Sequence, residues 1–507
     1  MILSEHSLIL AIAIPLLAGF IIPLVSRLGR KIRNSWVVGS LIISLVCISY
    51  QFLEVLAKGL QVYTLGATIP SLTSPAGFPV RIILEVDALN GLISFIVVLA
   101  ALLASIYSWK FIREREEKFY PLFLLLTAGI LGMSLTGDFF TLFVFVEITS
   151  ISSAALISFF RYGESFEAAI KYLVLSAAGG LFLLFGVGIL YGEYGFLNMA
   201  AIASEISIHY SFLDGAALAL FAASLLLKSG SVPVHWLKLD AYQEAPASVI
   251  VLCLLSSLTS LYVLFRIAFS VFGLVLTPTF GWVIVALGIG SILVGVLMAL
   301  PQNNLKRLIA YVAVAEIGYV MLGIGAGLSQ MPSLNGFGFA ALSGGIFHIV
   351  NDILNLGLLF LVAGAIYYST GGRDINRMGG LAQHSHSLTF LFLIGMLAVS
   401  GIPPLNGFAS KLLIYESVFF FNPLLSVIGL LGSVLILAIF VKVFASVFLG
   451  PPTKKPSKVP FSMILPMLVI ASLILFLGLF PHLVLESLVV LASKSLINPS
   501  QWIGGVL

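Results

Sequence analysis

Residues 217–236 read ALALFAASLLLKSGSVPVHW: eleven apolar or small residues, then Lys228, then Gly230 and Pro233. The apolar part has the makings of a membrane helix. A charged side chain at the centre of a bilayer costs roughly 2.5–3.5 kcal/mol, so such residues face a protein interior or a wet cavity. Pro233 removes a backbone donor and clashes with the preceding turn. The helix is therefore expected to break just beyond the lysine, and a break at membrane depth is tolerated only inside protein or along a cavity. The same combination recurs at 400–417, SGIPPLNGFASKLLIYES, where Gly401, Pro403, Pro404 and Gly407 precede Lys411. Proline and glycine alone are common in membrane helices; a kink joined to a buried lysine, twice, points to function.

Outward from these two segments, apolar stretches able to cross about 30 Å of hydrocarbon recur along the whole chain. They predict an all-α polytopic membrane protein of about fourteen helices, at 6–26, 36–56, 87–109, 119–136, 139–160, 167–191, 214–234, 245–272, 280–300, 305–328, 337–368, 386–418, 423–449 and 461–492. Of the 507 residues, 60% are hydrophobic and only 9% charged, against about 25% charged in soluble domains. The first stretch carries Glu5 in place of a basic leader and no small-residue cleavage site follows it, so it reads as a retained helix.

Charge tests the count, because Lys and Arg should collect on alternate loops. Seventeen of the 25 basic residues do so: Arg27, Arg30, Lys31, Arg33, Lys110, Arg113, Arg115, Lys118, Arg161, Lys171, Lys306, Arg307, Arg373, Arg377, Lys454, Lys455 and Lys458. The opposite loops and the tail hold only Lys58, Arg81 and Lys494. The bias predicts basic loops in the cytoplasm and both termini outside a plasma membrane. The net charge of +4 sits in short loops and is no nucleic-acid signal. The interrupted helices are the seventh and twelfth, five apart, and Glu147 in the fifth helix is matched by Glu316 in the tenth. Two inverted five-helix repeats are expected, helices 4–8 and 9–13, with divisions at 1–115, 116–272, 278–450 and 451–507.

The ionisable residues within or beside the spans are the candidates for chemistry: Glu147, Lys228, His235, His348 and Lys411, and in a second rank Lys238, Glu244, Glu316 and Asp352. Glu147 is followed by a polar stripe, Thr149, Ser150, Ser152 and Ser153, able to hold water. Each has a blander reading. Glu147 can be half of a structural ion pair. Lys238 and Glu244 can lie in a cytoplasmic loop, where charge is cheap. Glu316 can tie to Lys306 or Arg307. Arg266 and Lys442 read as pairing or snorkelling residues, and His384 and His386 as solvated. No cofactor or metal is expected: two distant cysteines, Cys47 and Cys253, cannot hold an iron–sulfur cluster, and no zinc spacing or dinucleotide fingerprint is present.

Four motifs in order carry a resemblance. KSGSVPVH (228–235) with DAYQEAP (240–246), QNNLKRLIAYVAVAEIGY (302–319), GIPPLNGFASK (401–411) and GDFFTLFVFVE (137–147) resemble the antiporter-like membrane subunits shared by complex I, Mrp antiporters and membrane-bound hydrogenases. GDFF and the Asn351–Asp352 pair are more similar to the Mrp (MrpD-like) and hydrogenase branch. The resemblance implies an H⁺-translocating, or Na⁺/H⁺-exchanging, subunit of a multi-subunit complex with other membrane subunits as partners and no redox centre of its own. It implies Glu147 as the helix 5 glutamate, Lys228 as its helix 7 lysine partner, His348 as the histidine of helix 11 and Lys411 as the helix 12 lysine facing the outlet or the next subunit. Two departures stand out: Leu258, beside Thr259, and Leu356, beside Asn355, occupy places where the family carries lysines. They keep alive a non-conducting structural subunit as an alternative. An independent secondary transporter is the other alternative, against which the linear trail of ionisable groups argues.

Overall fold

A computed structural model describes residues 6–65, 82–160, 162–331, 334, 336–452 and 456–507. Of the basic residues above, Arg81, Arg161, Lys454 and Lys455 lie outside them. The described residues form thirteen helices long and apolar enough to cross a membrane, or fourteen if a bent C-terminal pair is one span.

The first four long helices are α1 (Ser7–Val25), α2 (Arg30–Lys58), α3 (Ala88–Phe111) and α4 (Glu116–Leu135). Between α2 and α3 lies an antiparallel pair of strands, β1 (Gln61–Leu65) and β2 (Ile82–Val86). These were not legible as strands, because a five-residue run beside a membrane helix reads as loop. Next come α5 (Phe139–Ile157), α6 (Gly163–Tyr194) and the short α7 (Met199–Ile208). The predicted seventh helix, 214–234, is α8 (Phe212–Ser229), which ends early; a further short helix, α9 (Trp236–Glu244), follows beyond the predicted span, and then α10 (Ala247–Arg266). Then follow α11 (Pro278–Ala299), α12 (Leu305–Leu328) and α13 (Gly336–Thr370). The predicted twelfth helix is split, into α14 (His386–Val399) and α15 (Asn406–Phe419). After α16 (Pro423–Phe444) and α17 (Phe461–Leu479), the chain departs from the expected 461–492 span. Pro481 starts a new helix, α18 (Pro481–Ile497), and α19 (Pro499–Val506) turns from it by 83°.

Helix starts are fixed locally. Asp87 caps α3, accepting from the backbone of Leu89 and Asn90 while Asn90 returns a bond to the Asp87 backbone. Ser211 and Asp214 build the same reciprocal box on α8. Asp138 caps α5 by accepting from Thr141 N at 2.8 Å.

The basic loops gather at one end of the bundle. Arg33 pairs with Glu116, Arg113 donates to Tyr368 Oη at 2.5 Å, Arg307 reaches Asp240 at 3.5 Å and Arg373 reaches Glu244 at 3.1 Å. At the other end Arg266 is clamped by Asp87 at 2.5 Å and Glu85 at 3.2 Å, and Trp502 of α19 donates to Glu85 at 3.0 Å. Burial pushes the Glu85 carboxyl above its ordinary range, with Arg266 opposing. Arg266 is thus a pairing residue, whereas Lys442 is exposed and His384 and His386 sit exposed at a helix boundary. Helices α10, α12 and α13 are enclosed by the others over their apolar lengths, so the bundle centre is protein rather than lipid.

Candidate ion-translocation site

The two breaks are built alike. After α8, Gly230 takes φ 82° and the Ser231 amide reaches back to Leu226 O. After α14, Gly401 takes φ 73° and the Ile402 amide reaches Leu397 O. Both are left-handed glycine C-caps, which a side chain at that φ would strain. Each glycine also makes room for a lysine beyond the break. A Cβ on Gly230 would collide with Lys238 Cγ, and one on Gly401 would come within 3.2 Å of Lys411 Cδ.

In the first half, Glu147 (α5) and Lys228 (last turn of α8) form an ion pair at 3.7 Å. Lys228 is 6% exposed; its Nζ donates to Ser150 Oγ at 2.7 Å and to the Ser176 carbonyl at 3.1 Å. The Glu147 side chain is 27% exposed, although its Oε1, which faces Lys228, is enclosed. Helix α6 acts as the wall behind the pair. Gly180 faces Glu147 so closely that a Cβ there would overlap Oε1, and Gly179 lies against the Lys228 stem.

Lys238 and Glu244 do not lie in a solvated loop. The break carries the chain onward as α9, so both are buried. Lys238 Nζ lies 5.1 Å from the centre of the Tyr172 ring and has no hydrogen-bond partner among the described residues. Glu244 pairs with Arg373. His235 heads α9, half-buried, and joins no ion pair among the described residues.

The second half holds a tighter cluster. Lys411 Nζ donates to Glu316 Oε1 at 2.8 Å, to the Val399 carbonyl at 2.7 Å and to Ser433 Oγ at 3.2 Å. It also stands 4.2 Å above the Tyr319 ring. The other Glu316 oxygen meets His348 Nε2 at 3.1 Å, and His348 Nδ1 meets Ser410 Oγ at 3.0 Å. The expected tie of Glu316 to Lys306 or Arg307 is therefore corrected. Glu316 lies about three turns from both along α12, while Lys306 instead donates to the Ala245 carbonyl at 2.7 Å. Asn351 donates to Asn406 O and Ser410 Oγ, each at 3.0 Å. Asp352 and Asn355 are fully enclosed, yet neither side chain has a hydrogen-bond partner among the described residues. Asp352 lies within electrostatic reach of Glu316, Lys411 and, in α9, Tyr242. Leu258 and Leu356 are buried.

Ser433, Tyr319 and Ser176 were not singled out by sequence; hydroxyls and carbonyls around a buried ammonium carry no sequence signal of their own. Glu85 and Asp87 were also missed, though acidic residues just ahead of an apolar run are a readable cap signal.

Residues 136–436, more than half the chain, match the family described as NADH:quinone oxidoreductase/Mrp antiporter, TM. The chain belongs to that family. Its relatives come from both sides of the family name. It is 31% identical to NADH-quinone oxidoreductase subunit N of Desulforudis audaxviator, with 96% of this chain and 98% of that one aligned. It is 27% identical to a Na(+)/H(+) antiporter subunit of Alkalihalophilus pseudofirmus, over 99% of both. A chain of the Mrp complex from Dietzia sp. DQ12-45-1b superposes with TM-score 0.87 at 25% identity over 100% of both chains. A chain of the membrane-bound sulfane sulfur reductase, an archaeal respiratory membrane complex, superposes with TM-score 0.88 at 27% identity over 99% of both. The fold is thus that of an antiporter-like membrane subunit.

Proposed function

We propose that this chain moves protons, or exchanges Na⁺ for H⁺, as an antiporter-like subunit of a multi-subunit energy-converting membrane complex, with partner subunits driving the cycle. The observation that carries this reading is the pair of buried lysines, Lys228 and Lys411, each beside a helix break and ion-paired to a glutamate, which we read as two stations on one line of ionisable groups through the bundle.

The line begins at the basic-loop end, which we take to face the cytoplasm of a cell membrane, leaving both termini outside. There Glu164, Glu167, Lys171, Asp240, Gln243 and Glu244 line a cavity of about 190 Å³. Helix α6 then serves as a ruler at about 1.5 Å per residue: Ala168 and Lys171 line the mouth, Tyr172 meets Lys238, Ser176 meets Lys228 and Gly180 meets Glu147. Roughly 18 Å of descent separates Ala168 from Gly180. Lys238 rests on the glycine of its break as Lys411 rests on Gly401, and we assign it the position between Lys228 and the centre. The unpartnered polar groups of Asp352 and Asn355 then lead to His348, Glu316 and Lys411; buried polar atoms of this kind are held by water. Water beside Thr259 and Asn355 serves where Leu258 and Leu356 replace lysines. His235, half-buried at the head of α9, is assigned to proton uptake.

Pairing sets the cycle. A buried ammonium is held by its carboxylate, so drawing Glu147 away from Lys228, or protonating it, favours proton release from Lys228 toward Lys411. The two halves, 116–272 and 278–450, are read as inverted repeats, with Glu147–Lys228 and Glu316–Lys411 as their working pairs.

The buried apolar Leu258 and Leu356 favour the rival reading of a structural, non-conducting subunit. Lys228→Ala and Lys411→Ala in the intact complex, reconstituted in vesicles with a pH-sensitive dye, separate the two. Each is expected to abolish ion movement without loss of assembly; native pumping in either variant sinks the relay.

A further inference from the structure

Two cavities outside the ion route stack end to end. The first is a slot of about 320 Å³ lined only by apolar residues and a glycine, among them Phe52, Leu92, Phe95, Leu99, Ile470 and Leu488. The second, about 330 Å³, is mixed: Asp87, Lys494, Ser495, Asn498, Gln501 and Trp502 share its wall with Val55, Leu56, Leu60 and Leu491. On three elements the two linings are consecutive turns of the same helix: Phe52 then Val55 and Leu56 on α2, Leu92 then Ala88 on α3, and Leu488 then Leu491 on α18. They therefore form one continuous groove whose charged end, holding Asp87 and Lys494, lies beside the Arg266–Glu85–Asp87 cluster, away from the basic loops.

Its dimensions match a lipid. Along α3 the slot runs from Leu92 to Leu103, roughly 16 Å at 1.5 Å per residue, about half of a 30 Å hydrocarbon core and so one leaflet deep. Phe476, 50% exposed, edges the slot and leaves it open to the bilayer. The mixed cavity, which carries the charged and amide side chains, sits where a headgroup would, roofed by α19 after its 83° turn. Among the described residues its wall has one cation, Lys494, which is exposed and joins no ion pair, whereas Asp87 is already engaged by Arg266. The free charge in the wall is positive, and suits a phosphodiester.

We propose that this groove is a built site for one glycerophospholipid, an acyl chain in the apolar slot and the phosphate against Lys494, Asn498 and Gln501. The bound lipid wedges α2 and α3 to the C-terminal helices α17 and α18. The groove holds its lipid whether or not the chain conducts ions.

The test uses the assembled complex, washed with delipidating detergent and then loaded with a phosphatidylethanolamine carrying a diazirine in its acyl chain. Photolabelling is expected in the α3 peptide containing Phe95–Leu103, with one phospholipid retained per copy of this chain by native mass spectrometry. Ala100→Trp, which fills the slot, and Lys494→Glu, at an exposed position, should each lower occupancy at least fivefold. If Ala100→Trp fails to assemble, Lys494→Glu and the wild-type label map still decide. Equal occupancy in Lys494→Glu, label spread evenly over the lipid-facing helices, or recovery of a quinone without phosphate from the slot would each overturn the proposal.

Discussion

Replacing Glu316 by glutamine keeps the shape of the second-half cluster and removes its charge. Two groups depend on that carboxylate, Lys411 at 2.8 Å and His348 at 3.1 Å. At 2.8 Å and an effective dielectric of about 20, the Lys411 attraction is about 6 kcal/mol. The first-half pair at 3.7 Å is worth about 4.5 kcal/mol on the same footing, and less in practice because Glu147 is partly exposed. Stranding one member of a buried pair typically costs about 3–5 kcal/mol. Glu316→Gln should therefore lower the thermal stability of the complex measurably. If half of the attraction governs proton exchange, ion movement falls about a hundredfold, at roughly 1.4 kcal/mol per tenfold. The decisive variant is the double replacement Glu316→Gln with Lys411→Met. With no charge left stranded, stability should return toward the native value, while ion movement stays lost. The assays are dye-monitored pumping in vesicles and thermal denaturation of the purified complex, run as a double-mutant cycle. Additive stability losses, or native pumping in Glu316→Gln, would refute the reasoning.

Three further outcomes follow from the geometry. Gly180→Ala puts a methyl group where the Glu147 carboxylate lies; pumping should drop about tenfold or more, as it would for a loss of roughly 1.4 kcal/mol, with assembly intact, and an unaffected rate would show that Glu147 works from another position. Lys238→Met preserves the stem packed on Gly230 and removes only the ammonium; it should slow pumping strongly without lowering stability, since burying that charge without a hydrogen bond costs free energy, and a stability loss would mark Lys238 as a structural tie instead. Arg266→Gln strands Glu85 and Asp87 and should destabilise the complex by about 3–5 kcal/mol; unchanged thermal stability would show that the cluster is solvated.

The spans and both breaks were readable because they rest on local physics: about twenty apolar residues cross the hydrocarbon, and proline or glycine interrupts a helix whatever surrounds it. Lys411 shows where that reading stops. Its carboxylate lies 95 residues away on α12, and nothing in the sequence chose between that partnership and a tie of Glu316 to Lys306 or Arg307. Lys238 and Glu244 read as loop residues because the break after Lys228 was visible while the continuing half-helix, nine residues of mixed polarity, was not. The end of α17 at Leu479 was hidden in the same way, because the apolar run continues past Pro481.

By itself, then, the sequence determined the solvent, the number of crossings, the alternation of basic loops and the places where helices must break, all set by side chain against lipid or by backbone chemistry within a turn. The partners of each buried charge, the enclosure of Asp352 and Asn355 and the groove beside the C-terminal helices were decided only by tertiary packing. The reason is physical: a buried charge is stabilised by whatever group stands a few ångströms away in space, and helix packing brings those groups from spans that sequence spacing leaves far apart.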